Sequence, residues 1–270
     1  MMTKHCLRVR DLVVEARSES TLVKAVDHAD FDVGASEVVG LIGESGSGKT
    51  TLVRSVLDIL ERNVRITHGS VEFDGKVVID ATTGVSRVTE IRGARVGMVF
   101  QSPRLSLNPL MTIGRQLAEV LTCHRPNLTR SEVRSRIEEV LAEMRLDVQR
   151  VMRSYPHQLS GGMCQRAAIA IAIANFPLLL IADECTSALD VTSQEEVINV
   201  LRYLTQTHKM ALVFVTHDML LASELCDRIV VMNRGRVVES GPTKQVLAEP
   251  REEYTRQLIA AVPRWSATAL

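Results

Sequence analysis

Aromatic side chains are scarce in this chain, at 3% of 270 residues against an apolar share of 46%. A globular core assembled from it must be filled mainly by Leu, Val, Ile and Ala, and the length leaves room for one large domain or two small ones. Excess charge of either sign is missing too. Lys and Arg number 32 and Asp and Glu number 32, so no global field points to nucleic acid or anionic lipid as a partner. Long apolar runs are also absent. The longest, residues 167–182, is interrupted by Asn175 and Pro177 and falls short of the ~20 residues a membrane span needs. It reads as a buried helix followed by a buried strand. Residues 1–6 lack the apolar stretch of a secretory signal. The five cysteines (Cys6, Cys123, Cys164, Cys185 and Cys226) include no C-x-x-C pair, and an odd count without metal spacing predicts free thiols in a reducing cytosol. Neither an internal repeat nor a low-complexity segment is visible.

What the chain does have is a Gly-rich stretch between a strand pattern and a helix pattern. The apolar run Val38-Val39-Gly40-Leu41-Ile42 leads into Gly43-Glu44-Ser45-Gly46-Ser47-Gly48-Lys49-Thr50-Thr51, and Leu52, Val53, Val56, Leu57 and Leu60 continue at helical spacing. This is G-x-x-x-x-G-K-[ST] in its confirming context. Glycines let backbone N–H groups close around a polyphosphate, and the helix N-terminus adds a positive field at the same place. Lys49 is placed to reach the β- and γ-phosphates and Thr50 to hold Mg²⁺ through its hydroxyl. The stretch predicts a nucleoside-triphosphate site.

Around it the chain reads as α/β. Residues 7–39 carry short alternating apolar runs and predict strands before the phosphate loop, and residues 69–79 predict two strands joined by an Asp-Gly turn, part of a small antiparallel β element. Residues 96–101 predict a short strand with Gln101 at its C-terminal tip, where ligand chemistry is done in open α/β sheets. Taken alone, Gln101 could equally be a solvated loop residue. Residues 112–121 and 130–144 have helical spacing, with Thr129 and Glu132 as a capping box. Ser160-Gly161-Gly162 comes before an apolar helix read over residues 167–174, a second anion-binding N-terminus if not ordinary capping. Residues 178–184 predict a buried strand ending on two acids. Asp183 suits a Mg²⁺ ligand, directly or through water, and Glu184 suits a base polarising the attacking water. Ser187 to Asp190 lead into a helix reaching about residue 207. Residues 211–218 form one more buried strand ending on His217, a residue able to hydrogen-bond a γ-phosphate, though a lone His is more often structural. A strand–turn–strand over residues 229–239 and a helix near 243–247 follow, and the tail from Arg264 reads as loose.

In their order, residues 43–51, Gln101, residues 159–163, residues 178–184, residues 187–190 and His217 resemble the nucleotide-binding subunit of ATP-binding cassette transporters. The resemblance covers about residues 7–250, and Leu159-Ser160-Gly161-Gly162 separates this family from kinases and GTPases. Ser106-Leu107-Asn108-Pro109, Met163, residues 186–191 and Tyr254-Thr255-Arg256 look like the oligopeptide, dipeptide and nickel importers. The resemblance implies a P-loop NTPase core sheet with a small antiparallel β subdomain and an inserted helical subdomain of about residues 103–165. Residues 1–250 would form the ATP-binding domain and 251–270 a C-terminal tail. It also implies two ATP molecules and Mg²⁺ sandwiched between paired cassettes. Each ATP would lie on residues 43–51 of one subunit and face Ser160, Gly161 and Gly162 of the other, with Asp190 at the same interface. Glu184 would activate water, His217 and Gln101 would sense the γ-phosphate, and Thr50, Gln101 and Asp183 would hold the metal. The implied partners are membrane permease subunits, a second cassette (a copy or a relative) and, indirectly, an extracellular solute-binding protein, with the chain peripheral on the cytoplasmic face of the membrane and no nucleic acid involved. A soluble cassette serving a non-transport complex, such as one degrading phosphonates, is the alternative.

Three departures stand out. No aromatic residue lies near Leu22 and Val23, where the family usually stacks one on adenine. Cys185 replaces the proline that usually follows the catalytic glutamate, which predicts a looser backbone and a thiol that makes ATP hydrolysis sensitive to alkylation. The tail lacks the cysteine-rich segment of many peptide-type cassettes, so no iron–sulfur cluster is expected and the nickel or metallophore branch gains weight.

Overall fold

A computed structural model of the chain describes residues 5–17 and 21–261. In chain order, β1 (His5–Arg17) and β2 (Leu22–Gly34) precede β3 (Val38–Ile42) and α1 (Lys49–Val56). Then come β4 (Val64–Phe73), β5 (Lys76–Asp80), the two-residue β6 (Val85–Ser86) and β7 (Val96–Val99). The helices α2 (Pro103–Ser106), α3 (Ile113–His124), α4 (Arg130–Glu143), α5 (Val148–Arg153) and α6 (Gly161–Ile173) follow, then β8 (Leu179–Asp183) and α7 (Val191–His208). After them run β9 (Ala211–Thr216), α8 (Met219–Leu225), β10 (Arg228–Asn233), β11 (Arg236–Pro242), α9 (Thr243–Ala248) and α10 (Glu253–Ala260). The described chain divides into two compact units, one holding the residues up to Thr89 and from Ala211 on, the other Glu90–Met210.

The first unit contains an antiparallel sheet in the order β2-β1-β4-β5-β6. The Asp74-Gly75 turn joins β4 to β5, with Phe73 paired to Lys76. Beside it β10, β3 and β9 run parallel, and β11 adds antiparallel to β10. Every residue of β3 and β9 is buried, which explains why both read as unbroken apolar runs without alternation. Three of the few aromatics, Phe31, Phe73 and Phe214, are among the largest fully buried side chains, whereas Phe100, Tyr155, Phe176 and Tyr203 are exposed.

The second unit pairs β7 with β8 in parallel and carries α2 to α7. Thr129 and Glu132 form the capping box in full, with Thr129 N–H donating to the Glu132 carboxylate at 2.7 Å and Glu132 N–H to Thr129 Oγ1 at 3.3 Å. Three elements differ from the sequence expectation. Helix α6 begins at Gly161, because Ser160 caps it and draws both glycines into the first turn despite their poor helix propensity. Asp218 caps α8 directly after His217, where no helix was expected. In place of a plain tail after residue 250, Thr255 and Ile259, four apart, are buried on one side of α10. The stretch from Arg264 on lies outside the described residues.

Candidate nucleotide site

The first unit carries residues 43–51, the candidate phosphate loop. β3 delivers the chain to Gly43, and α1 starts at Lys49 with no acidic residue in its first turn and no side-chain cap. A helix start of this kind suits the negative charge of a polyphosphate. Lys49 is 3% exposed, and its Nζ donates to the carbonyls of Gly43 and Glu44 at 2.8 Å each, with Ser47 Oγ at 3.5 Å. The ammonium thus folds back onto the carbonyls of its own loop. Ser47 N–H donates to Glu44 O at 3.2 Å, and Gly235 N–H, in the β10–β11 turn, donates to Ser47 O at 2.9 Å. Gly48 has φ 103°, and a Cβ there would come within 2.5 Å of the Ala25 carbonyl oxygen, so only glycine fits. Glu44, Ser45 and Gly46 are exposed, while Thr50 and Thr51 are half-buried. His217 belongs to this unit as well. Ile42 and Thr216 are register partners on β3 and β9, so Gly43 and His217 leave neighbouring parallel strands at the same end.

The second unit carries the acids and the glutamine. Val99 and Ala182 are partners on β7 and β8, and Gln101 and Glu184 each lie two residues beyond them. Gln101 Nε2 donates to Glu184 Oε2 at 2.9 Å, joining the expected γ-phosphate sensor to the expected base. Asp183 ends β8 with no exposed surface. Glu184 turns the chain with φ 46°, and its carbonyl accepts both the Ser187 hydroxyl at 3.0 Å and the Ser187 N–H at 3.2 Å. Glu184 is half-buried just past the strand end, while Asp183 within the strand stays enclosed.

The same unit brings Ser160, Gly162 and Asp190 together at two adjoining helix starts. Ser160 Oγ accepts Met163 N–H at 3.3 Å. Asp190 caps α7, accepting Ser193 N–H at 3.0 Å and the Ser193 hydroxyl at 2.8 Å. The Ser193 N–H, then its hydroxyl, hold the Asp190 carboxyl below the usual carboxylate range. Ser193 Oγ would lie 2.7 Å from a Cβ on Gly162, so the second glycine allows α6 to approach α7. Gly161 and Ser160 remain exposed.

Two of the departures take physical form here. Leu22 and Val23 are 61% and 56% exposed, and both are aliphatic. Cys185 corrects the expectation of a reactive thiol: it is 1% exposed, and burial pushes it up to about 12. All five cysteines are free, and Cys123 is the exposed one. One site residue was missed as such. Tyr254 Oη accepts the N–H of Glu44 at 3.0 Å, a contact spanning 210 positions with no local signal beyond a tyrosine next to the buried Thr255.

The sequence profile described as ABC transporter matches residues 26–187. A peptidoglycan transport ATP-binding protein of Agrobacterium fabrum is 42% identical over 265 residues, which are 97% of this chain and 48% of that protein, so the chain spans about half the length of this relative. A putative peptide import ATP-binding protein of Brucella melitensis is 42% identical over 264 residues, 97% of this chain and 79% of its own. Among solved structures, the ATP-binding cassette MJ0796, a dimer in a post-hydrolysis state with ADP and Pi, superposes with a TM-score of 0.76 at 29% identity, covering 88% of this chain and 98% of that one. With profile, relatives and fold in agreement, this chain belongs to the ABC transporter family.

Proposed function

We propose that this chain, an ATP-hydrolysing cassette, powers import through a membrane permease, with peptides as the favoured cargo class and nickel or a metal chelate behind them. The observation that carries the hydrolytic part is the 2.9 Å contact between Gln101 and Glu184 beyond two parallel strand ends, next to the enclosed Asp183, in a chain that also holds the Lys49 loop. Residues 43–51 bind the triphosphate through backbone amides and the Lys49 ammonium. Glu184 orients and polarises the attacking water, with its carboxylate held by the Gln101 amide until nucleotide enters. Gln101 and His217 read the γ-phosphate. The hydroxyl of Thr50, the amide oxygen of Gln101 and the carboxylate of Asp183 are hard oxygen donors of the kind Mg²⁺ takes. When bound, Mg²⁺ supplies charge neutralisation on the phosphates. Ser160, Gly161 and Gly162, with Asp190, face the nucleotide of a second cassette.

The relatives' names, transport in one case and peptide import in the other, support the import reading over a soluble accessory role. The dimeric state of the solved cassette supports pairing with a second one. Among the described residues no helix is long and apolar enough to cross a membrane, in keeping with a peripheral subunit held on the cytoplasmic face by its permease. An extracellular binding protein would act on the chain only through that permease.

Phosphate release from Mg-ATP by the purified chain, compared with its Glu184→Gln variant, tests the catalytic assignment. The variant should bind ATP as the parent does and lose turnover by at least about 100-fold, the low end for removing a general base. Turnover near the parent rate would remove Glu184 from this role.

A further inference from the structure

The contact between Tyr254 and Glu44 gives α10 a part in nucleotide binding. Glu44 is gripped on both sides of its backbone. Its N–H donates to Tyr254 Oη at 3.0 Å, while its carbonyl accepts Lys49 Nζ at 2.8 Å and Ser47 N–H at 3.2 Å. The tyrosine hydroxyl therefore holds the residue that in turn holds the phosphate-binding lysine. Helix α10 is itself pinned. Glu239 on β11, 8% exposed, accepts the N–H groups of Arg251 at 2.9 Å and Glu252 at 3.2 Å, fixing the chain just before Tyr254. Burial pushes the Glu239 carboxyl up, but the Arg251 amide, the Thr255 hydroxyl and the Glu252 amide, together with the Arg251 charge, outweigh it and leave the group below the usual carboxylate range. Ser45 and Gly46, which follow Glu44, are exposed, and nothing lies near a Cβ position on Gly46, so the Glu44 contacts anchor the edge of the part of the loop with most freedom to lose when a ligand binds.

We propose that Tyr254 is a positioning residue for the nucleotide: its hydroxyl, placed by the Glu239 anchor of α10, holds the Glu44 peptide so that the phosphate loop is formed before ATP arrives. The inference rests on reading residues 43–51 as the phosphate site. It makes the helix after residue 250 a determinant of ATP affinity rather than of the chemical step.

The test uses the full chain with Tyr254→Phe, which removes one oxygen and keeps the ring. Steady-state phosphate release gives KM and kcat for ATP, and calorimetry gives Kd for Mg-ADP. A lost hydrogen bond of ordinary strength predicts KM and Kd raised about three- to tenfold with kcat at saturation within twofold. Glu239→Gln should raise KM in the same direction, and the double variant should be no worse than the poorer single one, since both act through one contact. Unchanged KM with a fall in kcat, a KM that drops, or fully additive effects would each overturn the proposal. Lys49→Ala separates the two readings. If it loses nucleotide binding while Tyr254→Phe binds like the parent, only the role of Tyr254 fails. If Lys49→Ala binds like the parent, the phosphate site itself is wrong.

Discussion

Alkylation requires a thiolate that the reagent can reach, and reach divides Cys185 from Cys123. Cys185 sits beside Glu184 but is 1% exposed, with its pKa pushed up to about 12 by burial, whereas Cys123 near the end of α3 is exposed. A maleimide at pH 7.5 should therefore label Cys123 first in the folded protein and leave Cys185 unmodified, as read by peptide mass spectrometry. A Cys123→Ser protein should keep its ATP hydrolysis through the same treatment. Early labelling of Cys185 would contradict the enclosed position described for it. The chemistry of single residues was legible where it is local. Gly48, Lys49 and Thr50 stand out as candidates by spacing, because the pattern expected of a polyphosphate cradle is one of consecutive residues. Burial of Cys185 and the reach of Tyr254 to Glu44 depend on packing, and no neighbouring residue signals either one.

At the scale of elements, strands and caps followed from periodicity and local hydrogen bonding, as at β3, β9 and the Thr129–Glu132 box. Helix α10 was missed because only Thr255 and Ile259 supply its buried stripe, too few to show in a pattern. Helix α6 started earlier than its apolar run because Ser160 capping and the Gly162 approach to Ser193 decide its first turn. The joint between β2, β3 and β10 carries a pH-dependent term. Glu37, between β2 and β3, accepts Arg228 Nε at 2.7 Å and Gly34 N–H at 2.6 Å. Burial pushes the Glu37 carboxyl up, but Arg228 and the Gly34 amide outweigh it and leave it below the usual range. A carboxyl lowered in the folded state contributes stability above its unfolded value of about 4.3, and loses it as pH falls through the folded value. Calorimetric Tm should thus decline below about pH 4.3, and Glu37→Gln should lower Tm at pH 7 while making that acid decline less steep. An equally steep decline in the variant would count against this contribution.

For the whole molecule, the α/β class followed from the Gly-rich loop together with the strand and helix stretches around it and the resemblance they carry. The division into two units at Thr89 and Met210 was not legible, because contact density between distant segments leaves no mark on local composition. The candidate residues are shared between those units: the phosphate loop and His217 in one, Gln101, Asp183, Glu184, Ser160 to Gly162 and Asp190 in the other. The most direct test of the importer account is to tag the chain in its native cell, extract membranes in mild detergent and identify what co-purifies. The account predicts multi-span permease subunits together with a second cassette, either a copy of this chain or a relative. Recovery of soluble enzymes alone, with no permease, would contradict it.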